Sequence, residues 1–219
     1  MLNSSTKTGE SIWLPLLKTS KFRIQFFLTI FFLLSALFVY RKFLDFAEAR
    51  PGIVIPDPVL NLFNPIDLTW LIFGIIYLCL IIGVFALAKK PEKLLLAFQT
   101  YTAVVVVRII AMYLMPFEAP EKLIVLKDPF VELFGSGESL TKDLFFSGHT
   151  TTLFMLFLVV ESKRLKYVFL ISAIVVGVTI VLQHVHYVID VFAAPFFTYT
   201  CYALISSLNL NKISQTTTG

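Results

Sequence analysis

The sequence predicts an all-α integral membrane protein in which six transmembrane helices form a single domain over residues 1–219. Hydrophobic residues make up 58% of the chain and charged residues only 15%, and the mean hydropathy is +0.85. A soluble fold of 219 residues cannot bury so much apolar surface. Six apolar stretches are also long enough to cross a bilayer, for which a helix needs about 17–25 residues.

The predicted spans follow one another along the chain and are joined by polar connections. They cover residues 22–40, 68–88, 94–116, 145–161, 167–185 and 188–208. A polar N-terminal segment of residues 1–21 precedes them, and we expect the polar tail of residues 209–219 to be flexible. The first span is expected to be retained, because it is long and ends at Arg41 and Lys42 instead of a small-residue cleavage site.

Lysine and arginine residues are more numerous on one side of the predicted spans, and this asymmetry predicts the orientation of the protein in the membrane. The side with both termini has eleven, which are Lys7, Lys18, Lys21, Arg23, Lys89, Lys90, Lys93, Lys163, Arg164, Lys166 and Lys212. The other side has six, which are Arg41, Lys42, Arg50, Lys122, Lys127 and Lys142. Because cytoplasmic loops carry the excess of these residues, both termini are predicted to be cytoplasmic. The connections 41–67 and 117–144 then face the periplasm or an organelle lumen, and in a bacterium the membrane is the inner one.

The net charge of +4 does not predict a nucleic-acid partner. The basic residues form short clusters beside apolar stretches, whereas a nucleic-acid surface carries them along one polar face. The two cysteines, Cys79 and Cys201, lie inside apolar stretches and are expected to be buried thiols. Composition therefore favours membrane lipids as partners, and it carries no signal for an oligomeric state.

All three histidines lie at predicted span boundaries on the outward side. His149 is near the start of the fourth span, while His184 and His186 stand in the turn that leads into the sixth. The orientation was derived from Lys and Arg alone, so the placement of the histidines on one membrane face is an independent observation. It predicts one site built from both boundaries.

The residues around His149 and His186 indicate chemistry at phosphorus. On a helix, His186 and Asp190 share a face, so the carboxylate can accept a hydrogen bond from one imidazole nitrogen and leave the other as a nucleophile. His149 follows Ser147 and Gly148 at a predicted helix N-terminus, where free amides and the helix dipole favour a phosphate group. His149 can then protonate the departing oxygen as a general acid.

Two other interpretations of these residues remain open from the sequence. A histidine at a membrane boundary is often only a hydrogen-bonded residue, although an acid such as Asp190 inside an apolar segment is already a functional candidate because it is costly to bury unpaired. The second interpretation is a metal site formed by the histidines and the aspartate, for which the chain offers few strong ligands.

Two motifs resemble those of a known enzyme family. SGHT at residues 147–150, preceded by Asp143, and HYVIDVFAA at residues 186–194 resemble the paired motifs of sphingomyelin synthases and related enzymes. These enzymes form a branch of the type 2 phosphatidic acid phosphatase superfamily. IPDP at residues 55–58 is similar to the first-loop motif of that branch, and Arg108 is similar to the arginine of its third span.

The resemblance implies a six-helix membrane fold and a set of roles for the site residues. It implies a phosphohistidine on His186, activation of His186 by Asp190, acid catalysis by His149 and orientation of His149 by Asp143. No metal or other cofactor is implied. A loop glutamate joins the site in this family, and either Glu121 or Glu132 could correspond to it.

The chain also departs from the wider superfamily, which carries a Lys and Arg motif ahead of SGH and an arginine six residues before the second histidine. Here that second position is Ile180. The phosphate charge must then be met by Arg108, by amides near Ser147 and Gly148, or by a loop lysine such as Lys142. The other interpretation of Arg108 is a side chain that snorkels to the interface.

The motifs predict a lipid phosphotransferase that moves a phosphate-containing head group between lipids. With water as the acceptor, the same histidines would make a lipid phosphate phosphatase or a phospholipase C. A non-catalytic membrane protein or a transporter is the alternative from another class, although neither repeats nor mid-membrane helix breaks are evident.

Overall fold

The structure, a computed structural model, describes residues 13–128 and 140–217, with side chains as far as Asn209. In that part of the chain it contains seven α-helices and a 3₁₀ turn at Leu60–Leu62, and a single bridge between Ile53 and Phe117 is the only β pairing. The helices are α1 (Trp13–Lys18), α2 (Ser20–Ala49), α3 (Thr69–Ala88), α4 (Pro91–Leu114), α5 (Gly148–Val159), α6 (Lys163–Leu182) and α7 (Val188–Thr217). The prediction of an all-α protein is therefore confirmed for these residues.

Five helices are long and apolar enough to cross a membrane. They are α2, α3, α4, α6 and residues 188–209 of α7, and they coincide with the first, second, third, fifth and sixth predicted spans. Large apolar side chains cover their outer surfaces, including Phe31, Ile171 and Phe192, which are 59–75% exposed. Exposure of such a large apolar surface to water is unfavourable, so these helices indicate an integral membrane protein.

Helix α5 differs from the fourth span that the sequence predicts over residues 145–161. It has 12 residues and is therefore about 18 Å long, which is shorter than the hydrocarbon core of about 30 Å. Residues before Gly148 are not helical, because the Ser147 side chain caps the helix by accepting a hydrogen bond from the Thr150 N–H. The number of six spans is thus not confirmed, and the cytoplasmic orientation of both termini stays a prediction.

Helix α5 lies at the centre of the bundle, where it packs against α3, α4, α6 and α7. Leu153, Leu156 and Val159 are almost completely buried in the main apolar cluster. A helix enclosed in this way does not need to reach both membrane surfaces, because its neighbours shield its ends from lipid. Its N-terminus is consequently held inside the bundle.

Contacts between helix ends define one face of the bundle. The Trp13 indole N–H donates to the Ala88 carbonyl over 2.8 Å. Glu161, after α5, lies 3.4 and 3.7 Å from the ammonium groups of Lys90 and Lys93. This face therefore carries the start of α2 and α4, the end of α3 and the junction between α5 and α6.

The two long connections meet on the opposite face. The Ile53 N–H donates to the Pro116 carbonyl over 2.7 Å, and the Glu118 N–H donates to the Ile53 carbonyl over 2.9 Å. A carboxylate oxygen of Asp57 accepts a hydrogen bond of 2.8 Å from the N–H of Val188, the first residue of α7. The first connection is thereby tied both to the second connection and to the start of α7.

Candidate active site

The structure brings His149 and His186 together. Their ring centroids are 6.2 Å apart and the ring planes are inclined by 69°. His149 is the second residue of α5, and His186 lies in the turn just before α7. The two rings are neighbours because α5 packs directly on α7.

His186 is backed by Asp190. The Nδ1 atom of His186 lies 3.3 Å from a carboxylate oxygen of Asp190, and at most 2% of either side chain is exposed. The same oxygen accepts a 3.1 Å hydrogen bond from the Tyr187 N–H, so Asp190 also caps the helix that carries it. Since a carboxylate accepts hydrogen bonds, this contact favours the tautomer with the proton on Nδ1 and the lone pair on Nε2.

The geometry of this pair differs from the sequence-based expectation. The sequence predicts that His186 and Asp190 lie on one face of a helix, but α7 begins at Val188 and His186 precedes it. The two side chains meet because Asp190 points back over the helix N-terminus, as its bond to the Tyr187 N–H shows. Sequence spacing alone does not reveal where α7 begins, because its first residue, Val188, is held by a contact to the distant Asp57.

Arg108 does not snorkel to the interface. Its Nη2 lies 2.6 Å from a carboxylate oxygen of Asp143, and only 8% of the Arg108 side chain is exposed. Its Nε donates to the Phe146 carbonyl over 2.9 Å. The Tyr40 hydroxyl donates to the same Asp143 oxygen over 2.6 Å, and the guanidinium carbon lies 5.3 Å from the centroid of the Tyr40 ring. Two segments of the chain, α2 and the residues just before α5, therefore hold this arginine.

Gly148 allows Arg108 to lie against the start of α5. A Cβ atom built at Gly148 would overlap Nη1 of Arg108 and would stand 3.0 Å from Cζ. Ser147, which is fully buried, contributes its hydroxyl as the helix cap and its N–H to the Asp190 carbonyl over 3.1 Å. The helix N-terminus, the guanidinium group and His149 are consequently neighbours, and together they form a region of positive potential.

Asp143 carries the balancing negative charge. Burial raises the pKa of this carboxyl, but the charge of Arg108 and the hydrogen bond from Tyr40 outweigh burial, so its pKa lies below the usual range. Asp143 is therefore ionised at neutral pH. It orients Arg108 directly, whereas the resemblance implies that it orients His149.

These polar groups stand at one end of an apolar cavity. The cavity has a volume of about 460 Å³ and lies among α2, α3, α4 and α5. Its polar end is formed by Tyr40, Arg108, Asp143, Gly148 and His149. Its remaining wall is mostly aliphatic and includes Leu33, Ile76, Leu80, Val84, Leu87 and Leu94. Such a cavity fits a molecule with a phosphate at one end and a hydrocarbon chain at the other.

The segment before α5 is held by acidic residues. Glu48 accepts hydrogen bonds from the Thr141 hydroxyl over 2.6 Å and from the Lys142 N–H over 3.1 Å. The Lys142 ammonium lies 2.9 Å from a carboxylate oxygen of Glu118 and donates to the Arg50 carbonyl over 2.9 Å. Lys142 therefore stabilises the loop through these contacts, and its part in meeting phosphate charge stays a prediction.

Of the two glutamates that the resemblance suggests, only Glu121 belongs to the described residues, and no contact joins it to His149 or His186. Glu121 is exposed and borders a separate polar pocket of about 400 Å³, together with Asp57, Lys122 and His184. Glu132 lies outside the described residues. Neither residue is placed in the site.

His184 has a structural role at the end of α6. It adopts a left-handed conformation with φ of 57°, and its N–H donates to the Val181 carbonyl while the Val185 N–H donates to the Ile180 carbonyl. These bonds form a Schellman motif, in which the left-handed position usually belongs to glycine. His184 thus stabilises the turn that delivers His186.

Sequence reasoning missed three residues that support the site. Tyr40 and Glu48 come from α2 and hold Asp143 and the segment before it, yet nothing in their local sequence marks them. Asp57 caps α7 through Val188, and the IPDP motif was a signal for it. Among the described residues, no three His, Cys, Asp or Glu side chains are grouped closely enough to hold a metal ion.

Comparison with known proteins supports a family. Residues 142–207 match the family model described as PAP2 superfamily C-terminal. This segment contains all the predicted site residues except Arg108, namely Asp143, Ser147, Gly148, His149, His186 and Asp190. The match supports the PAP2 superfamily, and with it an enzyme of lipid phosphate chemistry, but not its sphingomyelin synthase-like branch. No curated protein and no solved structure matches the chain.

Removal of the Asp143 charge is predicted to destabilise the protein. Asp143→Asn leaves the Arg108 guanidinium buried beside a neutral partner, which costs at least about 3 kcal/mol in the free energy of unfolding. Thermal and denaturant unfolding in detergent micelles measures the change. Asp45→Asn is the matched control, because its ion pair with Arg41 is exposed and contributes less than about 1 kcal/mol. Equal stability of the two variants would contradict the role of the buried pair.

Substitutions at His184 separate its structural role from catalysis. His184→Gly is predicted to be more stable than His184→Ala by about 1 kcal/mol, because only glycine adopts the left-handed conformation without steric cost. Thermal unfolding of both variants tests the difference. If alanine were as stable as glycine, the Schellman motif would not govern this turn.

Proposed function

We propose that this protein transfers a phosphate-containing head group from one membrane lipid to another through a phosphohistidine on His186. The observation that carries the proposal is the approach of the His149 and His186 rings to 6.2 Å, with His149 lining the polar end of an apolar cavity. The match to the PAP2 superfamily over residues 142–207 supports phosphate chemistry on lipids. The reaction site is proposed to face the periplasm or an organelle lumen.

The first step is attack of the His186 Nε2 lone pair on phosphorus. An N–P bond forms while the P–O bond to the donor lipid breaks, and His149, which takes up a proton when the anionic phosphate binds, gives it to the departing lipid oxygen. Asp190 holds the His186 ring through Nδ1 and balances the positive charge that the ring acquires. The products of this step are a lipid alcohol and a phosphorylated His186.

In the second step, His149 acts as a general base instead of a general acid. The ring, now neutral, accepts the proton of the acceptor hydroxyl as the acceptor oxygen attacks phosphorus, and the N–P bond breaks to return the lone pair to His186. Arg108 and the N-terminal amides of α5 lie beside the transferred group and stabilise its negative charge in both transition states. Asp143 and Tyr40 keep Arg108 in that position.

The surroundings favour a lipid as the acceptor. His186 is 1% exposed, and His149 borders a cavity whose wall is largely aliphatic, so acceptors enter more readily from the bilayer than from water. Hydrolysis is the second candidate, because the family match supports lipid phosphatases as well as phosphotransferases. With water as the acceptor, the same two steps release a phosphorylated head group or inorganic phosphate.

Replacement of the histidines tests the mechanism. In vesicles with a fluorescent phospholipid donor and a lipid alcohol, the unmodified protein is expected to form a new head-group lipid. His186→Ala should remove turnover, and His149→Ala should lower kcat by about 10²–10⁴-fold, the usual contribution of a general acid and base. Thin-layer chromatography with mass spectrometry identifies the products.

The control for these variants is Lys163→Ala, at the start of α6 on the opposite face of the bundle, which should keep full turnover. Persisting turnover in His186→Ala would exclude this nucleophile. Release of a water-soluble head group or phosphate without a new lipid would establish hydrolysis. Absence of turnover in the unmodified protein with both lipid phosphates and phospholipid donors would favour a transporter or a non-catalytic protein.

The close approach of Arg108 to Gly148 gives a second prediction. Gly148→Ala forces the guanidinium away from the start of α5, and a displacement of this size is expected to lower kcat by about 100-fold. Gly74→Ala is the matched control, because a Cβ at Gly74 meets nothing within 4 Å, and its turnover should be unchanged. Equal turnover of the two variants in the vesicle assay would show that Arg108 does not act at this position.

A further inference from the structure

A second, larger cavity lies at the other end of the bundle. It has a volume of about 640 Å³ and is bounded by α2, α4 and α7. Lys21, the second residue of α2, stands on its wall, whereas Tyr40 of the same helix borders the catalytic cavity. At about 1.5 Å per residue these two side chains are separated by about 28 Å along α2, close to the thickness of the hydrocarbon core. The second cavity is therefore separate from the histidine site.

A chain of polar side chains crosses this cavity. The Gln25 amide donates to Asn209 over 3.4 Å, the Asn209 amide donates to Gln99 over 2.9 Å, and the Gln99 amide donates to the Thr29 hydroxyl over 3.3 Å. These residues come from all three helices that bound the cavity. The rest of the wall is mostly apolar and includes Ile24, Leu28, Phe32, Ile205 and Leu208.

The polar chain leaves amide N–H groups without acceptors beside a lysine. Each side-chain amide carries two N–H bonds, and Gln25, Asn209 and Gln99 each use one in the chain. Within the described residues, the second N–H of each amide has no acceptor and the Lys21 ammonium has no acidic partner. Lys21 is exposed at the mouth of the cavity, whereas the three amides are half-buried beside an apolar wall, where an unpaired N–H is costly unless a ligand satisfies it. The ligand that fits has an anionic group, further acceptor oxygens and a hydrocarbon chain.

We propose that this cavity binds an anionic phospholipid from the leaflet on the side where α2 begins. The lipid phosphate pairs with Lys21, and its ester carbonyls accept the remaining amide N–H bonds of Gln25, Gln99 and Asn209. One acyl chain lies along the apolar wall formed by α2 and α7. Lys18 and Arg23, which flank Lys21 in the sequence, add positive charge near the head group.

The site would connect lipid composition to the stability of the catalytic end. Helix α2 carries Tyr40, α4 carries Arg108, and α7 begins two residues after His186. A lipid that binds only the folded bundle stabilises it in proportion to its free concentration relative to its dissociation constant. Anionic lipid is thus expected to raise the melting temperature of the protein.

Native mass spectrometry of the full chain tests the proposal. The His186→Ala variant is used throughout, so that no probe is consumed by turnover, and it is delipidated in detergent before phosphatidylglycerol or phosphatidylcholine is added at equal concentration. Preferential retention of one phosphatidylglycerol is expected. Lys21→Ala on this background should weaken phosphatidylglycerol binding by about tenfold, as loss of a charge-assisted hydrogen bond does.

Two further variants complete the experiment. Gln25→Leu should also weaken binding, because it removes an amide donor while keeping a side chain of similar size. Lys163→Ala removes a charge from the same face without touching the cavity and should bind as the parent does. Circular dichroism confirms that each variant is folded.

Equal retention of the two lipids, or unchanged phosphatidylglycerol binding in both Lys21→Ala and Gln25→Leu, would overturn the proposal. A lipid-free dimer that Lys21→Ala and Gln25→Leu dissociate would overturn it in favour of a second copy of the chain as the occupant. The measurement does not depend on turnover, so it is independent of the proposed transferase reaction.

Discussion

The buried charge of Arg108 is the constraint on which the rest of the structure depends. A guanidinium group in the apolar interior of a bundle requires partners, and it finds Asp143, the Phe146 carbonyl and the ring of Tyr40. These partners come from α2 and from the segment before α5. The requirement therefore holds three separate parts of the chain together, and it fixes where α5 begins because Gly148 must lie against the same group.

The short length of α5 follows from that arrangement and has a chemical consequence. A helix that begins inside the bundle exposes its amide N–H groups to an interior cavity instead of to water. His149 stands on that helix end, and α7 starts beside it because Asp57 and Asp190 cap its first turn. Two helix N-termini, two imidazoles and one guanidinium group thus converge where the surroundings have a low dielectric constant, which strengthens every charge interaction at that point.

The bundle uses polar groups differently at its two ends. At the end that carries His149 and His186, the contacts of Asp190 and Asp143 hold His186 and Arg108 in position. At the opposite end, the chain from Gln25 to Thr29 leaves donors without acceptors among the described residues. The first set of contacts positions side chains of the proposed active site, and the second set borders the cavity for which we propose a lipid.

The sequence by itself determined that the protein is helical and membrane-embedded, and it located five of the spans. It also singled out His149, His186 and Asp190 as candidate site residues. These features depend on local composition and on short spacings. Only the tertiary structure decided that the stretch 145–161 contains a short central helix, that His186 precedes α7, and that Arg108 pairs with Asp143. Such contacts join residues far apart in the chain, and apolar periodicity carries no information about which side chains meet across helices. Tyr40 is the plainest case, since its role exists only because α2 and the start of α5 lie side by side.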